Sequence, residues 1–209
     1  FVLITRENLY KLPYSVEEIY GLHASGKYQN TKKVYQQMYQ IYSEMLPCQS
    51  EPEKLLVEDS NSGYQFFEAI GKEHGIECES AGGKSNLFDL IKKTGKEETC
   101  VIADGAAIGP EMNRLYKQVK VKLYLPESFE WIILQSGIVD EKEIRTILLE
   151  PEQYIDSKDY FSWEQYFTKL LIRCTENTYL QYRKSKLNET YLHEKNKKII
   201  LESIKGIKF

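Results

Sequence analysis

The sequence lacks an apolar run of the roughly 20 residues that are needed to cross a bilayer. It also lacks a CxxC pair, because its four cysteines are scattered along the chain. No histidine stands at a ligand-like spacing from a cysteine, so a structural zinc site is not expected. Scattered cysteines favour buried free thiols, foremost at Cys78 and Cys100, in a reducing cytoplasm. We therefore expect a cytoplasmic protein without a membrane partner.

An excess of charge of one sign is also missing, because the formal net charge is only -3 over 209 residues. The charge balance gives no general attraction to polyanions, and a DNA partner would need a local patch. Hydrophobic residues make up 42% and charged residues 28%, which is typical of a globular protein with a sizeable core. The chain starts at Phe1 instead of methionine, which indicates an excerpt of a longer polypeptide.

The middle third of the sequence alternates between short apolar runs and amphipathic segments. The apolar runs predict strands at residues 54–58, 76–79, 99–103 and 121–125. Helical patterns follow each run: one ends at Gly75, one closes at Gly95, one contains Met112, and one contains Trp131. Strands alternating with helices of this length predict an α/β fold with a mainly parallel sheet and three layers.

Helical segments are predicted to flank this α/β region on both sides. The N-terminal part would hold a buried strand at residues 1–5, a short helix capped by Ser15, and a helix from about Thr31 to Leu46. Further helices are predicted at residues 140–149 and from Ser162 onward. The expected division is residues 1–50, the α/β domain at 51–136, and a helical region at 137–209.

The basic C-terminal stretch carries Tyr179, Tyr182 and Tyr191. These tyrosines would stack on bases if the stretch contacted nucleic acid. A solvated helix face is the favoured interpretation.

Acidic residues follow two of the predicted strands. Glu58 ends the first, and Asp104 ends the third. Such strand ends face one crevice in an alternating fold, and two carboxylates there would suit a hard divalent cation. A glycine turn, Gly82 to Asn86, opens the helix between them, where Lys84 would meet a phosphate oxygen. Acids also end strands to meet water or to cap a helix, so this interpretation stays open.

Residues 54–136 resemble a Toprim domain of the overcoming-lysogenization-defect type of nuclease. The resemblance is carried by the runs Leu55–Ser60, Ala81–Asn86 and Val101–Asp104, and Leu125–Trp131 is similar to a later acidic motif. It implies a nuclease that cleaves phosphodiester bonds in DNA with Mg²⁺ or Mn²⁺. The implied metal ligands and phosphate-binding residues are Glu58, Asp104, Glu127 and Glu130, and Gly82, Gly83, Lys84 and Ser85; Glu58, Asp104 and Lys84 would be catalytic.

The opening run, Phe1 to Glu7, resembles a late core strand of a P-loop ATPase. Nucleases of this type carry such an ATPase ahead of the Toprim domain. The resemblance implies an ATPase domain or subunit as a partner, and it leaves a homo-oligomer open. The sequence contains no Walker lysine motif, so these residues would not hydrolyse ATP by that route.

One departure from the Toprim pattern concerns Ala106, which stands where a second aspartate is expected. Alanine cannot bind a metal, so either another acid (Asp59, Glu111 or Glu127) substitutes or the site is degenerate. In the second case, the domain would be an interaction or nucleic-acid-binding module. A third interpretation is a receiver domain, with Glu58 and Asp59 as its acidic pair and Asp104 as phosphoacceptor. It ranks last because the lysine expected after a later strand is missing.

Overall fold

The computed structural model describes residues 2, 4, 15, 17–24, 35–43, 51–94, 98–108, 121–156 and 158–209. Within these residues, a four-stranded parallel sheet combines with seven α-helices, which confirms the predicted α/β fold. A separate hairpin precedes the sheet. The strands are β1 (Glu18–Ala24), β2 (Tyr35–Ser43), β3 (Lys54–Val57), β4 (Glu77–Ser80), β5 (Thr99–Ile102) and β6 (Lys122–Tyr124). The helices are α1 (Ser62–His74), α2 (Lys84–Thr94), α3 (Gly105–Ile108), α4 (Phe129–Gln135), α5 (Lys142–Leu149), α6 (Trp163–Thr175) and α7 (Glu194–Ser203).

The parallel sheet has the strand order β4-β3-β5-β6. Leu55 in β3 lies opposite Cys78 in β4 on one side and opposite Cys100 in β5 on the other. Leu55 and Leu56 point to opposite faces of the sheet, and both are fully buried. The apolar run at 54–57 therefore forms a central strand that is covered on both faces, as is typical of parallel sheets.

Helices cover the two faces of the sheet and form two hydrophobic clusters. One face packs against α1 and α4, with Phe67 and Ile132 in the cluster, and against the C-terminal helices α6 and α7. The opposite face packs against α2 and α3 through Leu87, Ile91 and Ile108. This arrangement has three layers, as predicted. The first cluster also draws on residues beyond 137, so the predicted boundary at residue 136 does not separate two cores.

Several predicted helix ends are confirmed. Gly75 ends α1 in the left-handed conformation, with φ of 70°, and its N–H donates to the Gly71 carbonyl. Ser162 caps α6, because its side-chain oxygen accepts the N–H of Gln165 at 3.3 Å. Ser128, which was not predicted as a cap, caps α4 in the same way through the N–H of Trp131. Gly95 and the helix predicted around Met112 lie outside the described residues.

The predicted N-terminal helices are wrong where the structure describes this region. Residues 18–24 and 35–43 form an antiparallel hairpin, in which Leu22 lies opposite Met38. The tyrosines of the second strand favour extended structure, while the methionine and isoleucine spacing imitates a helix. The pairing of the two strands decides between helix and strand here, and the local sequence pattern of either segment does not reveal that pairing. The predicted buried strand at 1–5 is also wrong for Val2 and Ile4, which are 90% and 86% exposed.

No helix in the described part of the chain is both long and apolar enough to span a membrane. Of the two cysteines expected to be buried, Cys100 is buried and Cys78 is half-buried, and both are free thiols. Burial raises the pKa of the Cys78 thiol to about 12, which keeps it protonated and unreactive.

Candidate functional site at the strand ends

The two predicted acids lie beyond the carboxyl ends of adjacent strands. β3 pairs directly with β5, and the Glu58 N–H donates to the Ile102 carbonyl at 2.8 Å. After β3 the chain enters α1 on one face of the sheet, and after β5 it enters α3 on the other. This is a topological switch point, the place where open α/β sheets usually bind ligands. The crevice there is lined by Glu58, Asp59, Asp104, Gly63, Pro126 and Phe129, with apolar residues below them.

The glycine turn holds Glu58 in position. Gly83 donates its N–H to the Glu58 carbonyl at 2.7 Å, and the Lys84 N–H donates to the Glu58 carboxylate. The N–H of Gly82 donates to the side chain of Ser80 at 3.1 Å. Three backbone donors of the turn therefore have partners inside the protein. The phosphate contact predicted here would therefore come from Lys84, which is half-buried, or from Ser85, which is exposed.

Asp104 lies in a strongly negative environment. Burial raises the pKa of its carboxyl well above the usual value of 3.8, and Glu164, Glu58 and Glu130 raise it further, while Lys184 opposes them. Burial also raises the pKa of Glu58, with a further contribution from Asp59, against the hydrogen bond from the Lys84 N–H. Burial and the neighbouring acids thus raise the pKa of both carboxyls among the described residues, and this favours either a bound proton or a bound cation.

Glu164 and Lys184 join this site from the C-terminal region, and sequence reasoning missed both. The Lys184 ammonium forms an ion pair with Glu164 and lies 3.9 Å from the Glu130 carboxylate. Burial alone would lower the pKa of Lys184, but Glu130, Glu164 and Asp104 together raise it. Lys184 lies in a basic stretch and Glu164 in the first turn of a helix, so the local sequence carries no signal of their role.

Glu130 is brought to the crevice but is already bound within the protein. Its side chain is 2% exposed and accepts the hydroxyl of Tyr182 at 2.8 Å. The same hydroxyl lies 2.5 Å from the side-chain oxygen of Ser62. Tyr182 and Tyr191 are buried, at 1% and 0% exposure, so neither can stack on a base; Tyr179 is 70% exposed. Two of the three tyrosines therefore pack in the core. The favoured interpretation, a solvated helix face, did not predict this packing.

Two other acids considered as metal ligands, Glu127 and Asp59, have structural roles. Glu127 is 8% exposed, and its Oε2 accepts the N–H of Ser15 at 2.5 Å. Asp59 accepts the N–H groups of Asn61 and Tyr64 at 2.9 and 3.1 Å, so it caps the start of α1. Ala106 is buried in α3 and offers no ligand atom. Glu111 lies outside the described residues.

The fit of the site to a divalent cation depends on how many ligand atoms converge. Within the described ranges, only Glu141, Glu143 and Cys174 bring three ligand atoms within 4.8 Å of one another. That group is largely exposed, and Glu143 pairs with Arg173. No three of the predicted ligands converge to this degree, but the oxygens of Glu58 and Asp104 suit Mg²⁺, which often uses one or two carboxylates and keeps several waters. The two residues therefore fit such an ion, and the metal site stays a prediction.

Comparisons with models of protein families, with curated proteins and with solved structures yield no significant match to this chain. The likeness to Toprim domains therefore rests on the short motifs of residues 54–136.

Proposed function

We propose that this chain is a Toprim-type nuclease that cleaves phosphodiester bonds in DNA with Mg²⁺ or Mn²⁺, linked to an ATPase domain or subunit. The observation that carries the proposal is the position of Glu58 and Asp104 beyond the ends of two adjacent parallel strands, at the switch point of the sheet. The raised pKa of both carboxyls supports a site at which a bound cation would be stabilised. The motif resemblance supplies the reaction class.

Glu58 and Asp104 would hold the cation. Once bound, the ion would stabilise the charge that develops on the phosphate and favour ionisation of an attacking water. Glu58 is fixed for this task by two backbone N–H groups of the glycine turn. Lys84, at the first position of α2, would bring its ammonium to a phosphate oxygen. Lys184 offsets part of the negative charge of the crevice before any ion binds.

Cleavage of supercoiled plasmid and of single-stranded DNA, with Mg²⁺ or Mn²⁺, tests this proposal. Glu58→Gln and Asp104→Asn remove the two charges with little change of shape, and we expect both variants to lose cleavage while they keep DNA binding. Asp89→Asn is the matched control, because Asp89 is an exposed acid on α2. Cleavage that persists unchanged in both site variants would contradict the proposal.

A second candidate, a non-catalytic module that binds nucleic acid or a protein partner, is favoured by a specific observation. Ala106 is buried where a second aspartate would be needed, and Glu127 and Glu130 are bound by Ser15 and Tyr182. A module of this kind would bind DNA or its partner equally well as wild type, Glu58→Gln and Asp104→Asn. The wild-type protein would then show neither cleavage nor metal binding, so the same experiments separate the two candidates.

A further inference from the structure

We propose that Ser15 is a positioning residue for the Asp104 strand end, and that Glu127 anchors Ser15 instead of binding metal. The inference rests on the proposed function, because it concerns how one of the two cation-holding residues is kept in place. Ser15 lies ahead of the hairpin, far along the chain from the sheet residues that it contacts. Its position makes the crevice depend on a part of the chain outside the α/β layers.

Ser15 is fixed by two hydrogen bonds to the segment that follows β6. Its N–H donates to Glu127 Oε2 at 2.5 Å, and its hydroxyl donates to the Pro126 carbonyl at 3.1 Å. The same Pro126 carbonyl accepts the N–H of Gly105 at 2.9 Å. One oxygen atom therefore links Ser15 to the residue that directly follows Asp104. A shift of Ser15 would be passed to the Asp104 backbone through this shared acceptor.

Gly105 shows how closely Ser15 approaches the strand end. A Cβ atom at position 105 would lie 2.6 Å from the Ser15 Oγ, 2.7 Å from its Cβ and 3.0 Å from the Leu125 carbonyl oxygen. Gly105 has no positive φ, so its backbone conformation does not require glycine. The requirement comes from the space that Ser15 occupies. Residue 105 is thus the contact point between Ser15 and the site.

The chemistry of Glu127 fits an anchor. Its side chain is 8% exposed, and one of its oxygens is committed to the Ser15 N–H. A carboxylate that binds metal is normally held by hydrogen bonds from outside the ligand set, and loss of such a partner typically costs about 10- to 100-fold in metal affinity. Ser15 acts one step further from the ligand, because it reaches Asp104 through the Pro126 carbonyl and the Gly105 N–H.

Calorimetric titration with Mn²⁺ tests the inference. Ser15→Ala removes the hydroxyl bond, and Gly105→Ala forces Ser15 away; we expect both to weaken Mn²⁺ binding, by up to about 10-fold for Ser15→Ala and by more for Gly105→Ala. Glu127→Gln keeps an oxygen that accepts the Ser15 N–H, so its affinity should stay close to that of wild type. Ser185→Ala, at an exposed serine, is the control and should also bind as wild type does.

Amide hydrogen exchange at Gly105 in metal-free protein provides a readout that does not depend on metal or activity. We expect faster exchange in Ser15→Ala than in wild type and in Ser185→Ala. Unchanged exchange and unchanged Mn²⁺ affinity in Ser15→Ala would overturn the positioning role, and a 10-fold loss in Glu127→Gln would overturn the anchor role. Faster exchange in a protein whose wild type binds no Mn²⁺ would support Ser15 as a positioning residue while the proposed function fails.

Discussion

At the scale of single residues, the described part of the crevice brings several acids close to Asp104. Glu164, Glu58 and Glu130 all raise the pKa of Asp104, and Lys184 is a cation that lowers it. Buried like charges cost stability unless a cation or a proton compensates them. Such a cost is typical of a site selected for binding, and two predictions test it without any assay of activity.

The first prediction concerns the pH dependence of stability in Asp104→Asn. Because the pKa of Asp104 is raised in the folded protein, the folded state holds this proton more tightly than the unfolded state does. Its contribution to stability is therefore full near and below the ordinary pKa of 3.8, and it is lost as the pH rises through the raised pKa. Asparagine mimics the neutral carboxyl, so the variant should exceed wild type in free energy of unfolding at pH 7 and converge with it in acid. Urea unfolding across pH measures this, and a variant that is less stable at pH 7 would contradict it.

The second prediction concerns Lys184→Met, which keeps the length of the side chain but removes its charge. Glu164 and the buried Glu130 would lose their cation. We expect a loss of about 1–2 kcal/mol in the free energy of unfolding at neutral pH, less than for a fully buried pair because Lys184 is 39% exposed. Lys186→Met, at an exposed lysine, should change little. Equal stability of the two variants would show that Lys184 does not balance the crevice.

At the scale of elements, local patterns were enough where burial is continuous. The apolar runs of β3 and β5 and the cap of α6 were predictable, because a fully buried strand and a serine cap are written in consecutive residues. The hairpin of β1 and β2 was not predictable, because each strand forms by pairing with the other. The glycine turn was located correctly from sequence, but its partners were not: its N–H groups hold Glu58.

Gly83→Ala tests the role of this turn as an element. Gly83 has a φ of 121°, a conformation that side chains rarely adopt, so alanine should cost about 1–3 kcal/mol in the free energy of unfolding. The displaced turn should also hold Glu58 less firmly and weaken Mn²⁺ binding. Gly75→Asn is the control, because asparagine tolerates the left-handed conformation at the end of α1. An added Cβ atom at position 75 would meet no described atom within 4 Å. Urea unfolding and calorimetry measure both effects, and a neutral Gly83→Ala would remove the turn from the argument.

At the scale of the whole molecule, the C-terminal region completes both the core and the crevice. Phe167, Leu170 and Ile200 pack in the same cluster as Val57 and other sheet residues. This region also carries Glu164 and Lys184 to the site. Sequence alone could not place these two charges, because only the folding of α6 and the segment after it onto the sheet brings them there. The positions of Asp104 and Glu58 at one edge of the sheet were predictable, because adjacent parallel strands end at the same edge.

Ile200→Ala tests whether the sheet and the C-terminal region share one core. Ile200 is fully buried in α7, and truncation should cost about 2–5 kcal/mol of the free energy of unfolding. Because one core spans the sheet and α7, far-UV circular dichroism and tryptophan fluorescence should shift together in a single transition. Ile172→Ala, at a residue that is 42% exposed, should cost much less. Two separated transitions would mean that the C-terminal region folds apart from the sheet.

Calorimetry of metal binding tests the proposed cation site of the strand-end acids most directly. Calorimetry with Mg²⁺ and Mn²⁺ compares wild type with the double variant Glu58→Gln/Asp104→Asn, and Asp89→Asn serves as control. We predict binding by wild type and by Asp89→Asn, and none by the double variant, which should remain folded by circular dichroism. A wild-type protein that binds neither ion at millimolar concentration, or a double variant that binds them as wild type does, would contradict a cation site at the ends of β3 and β5.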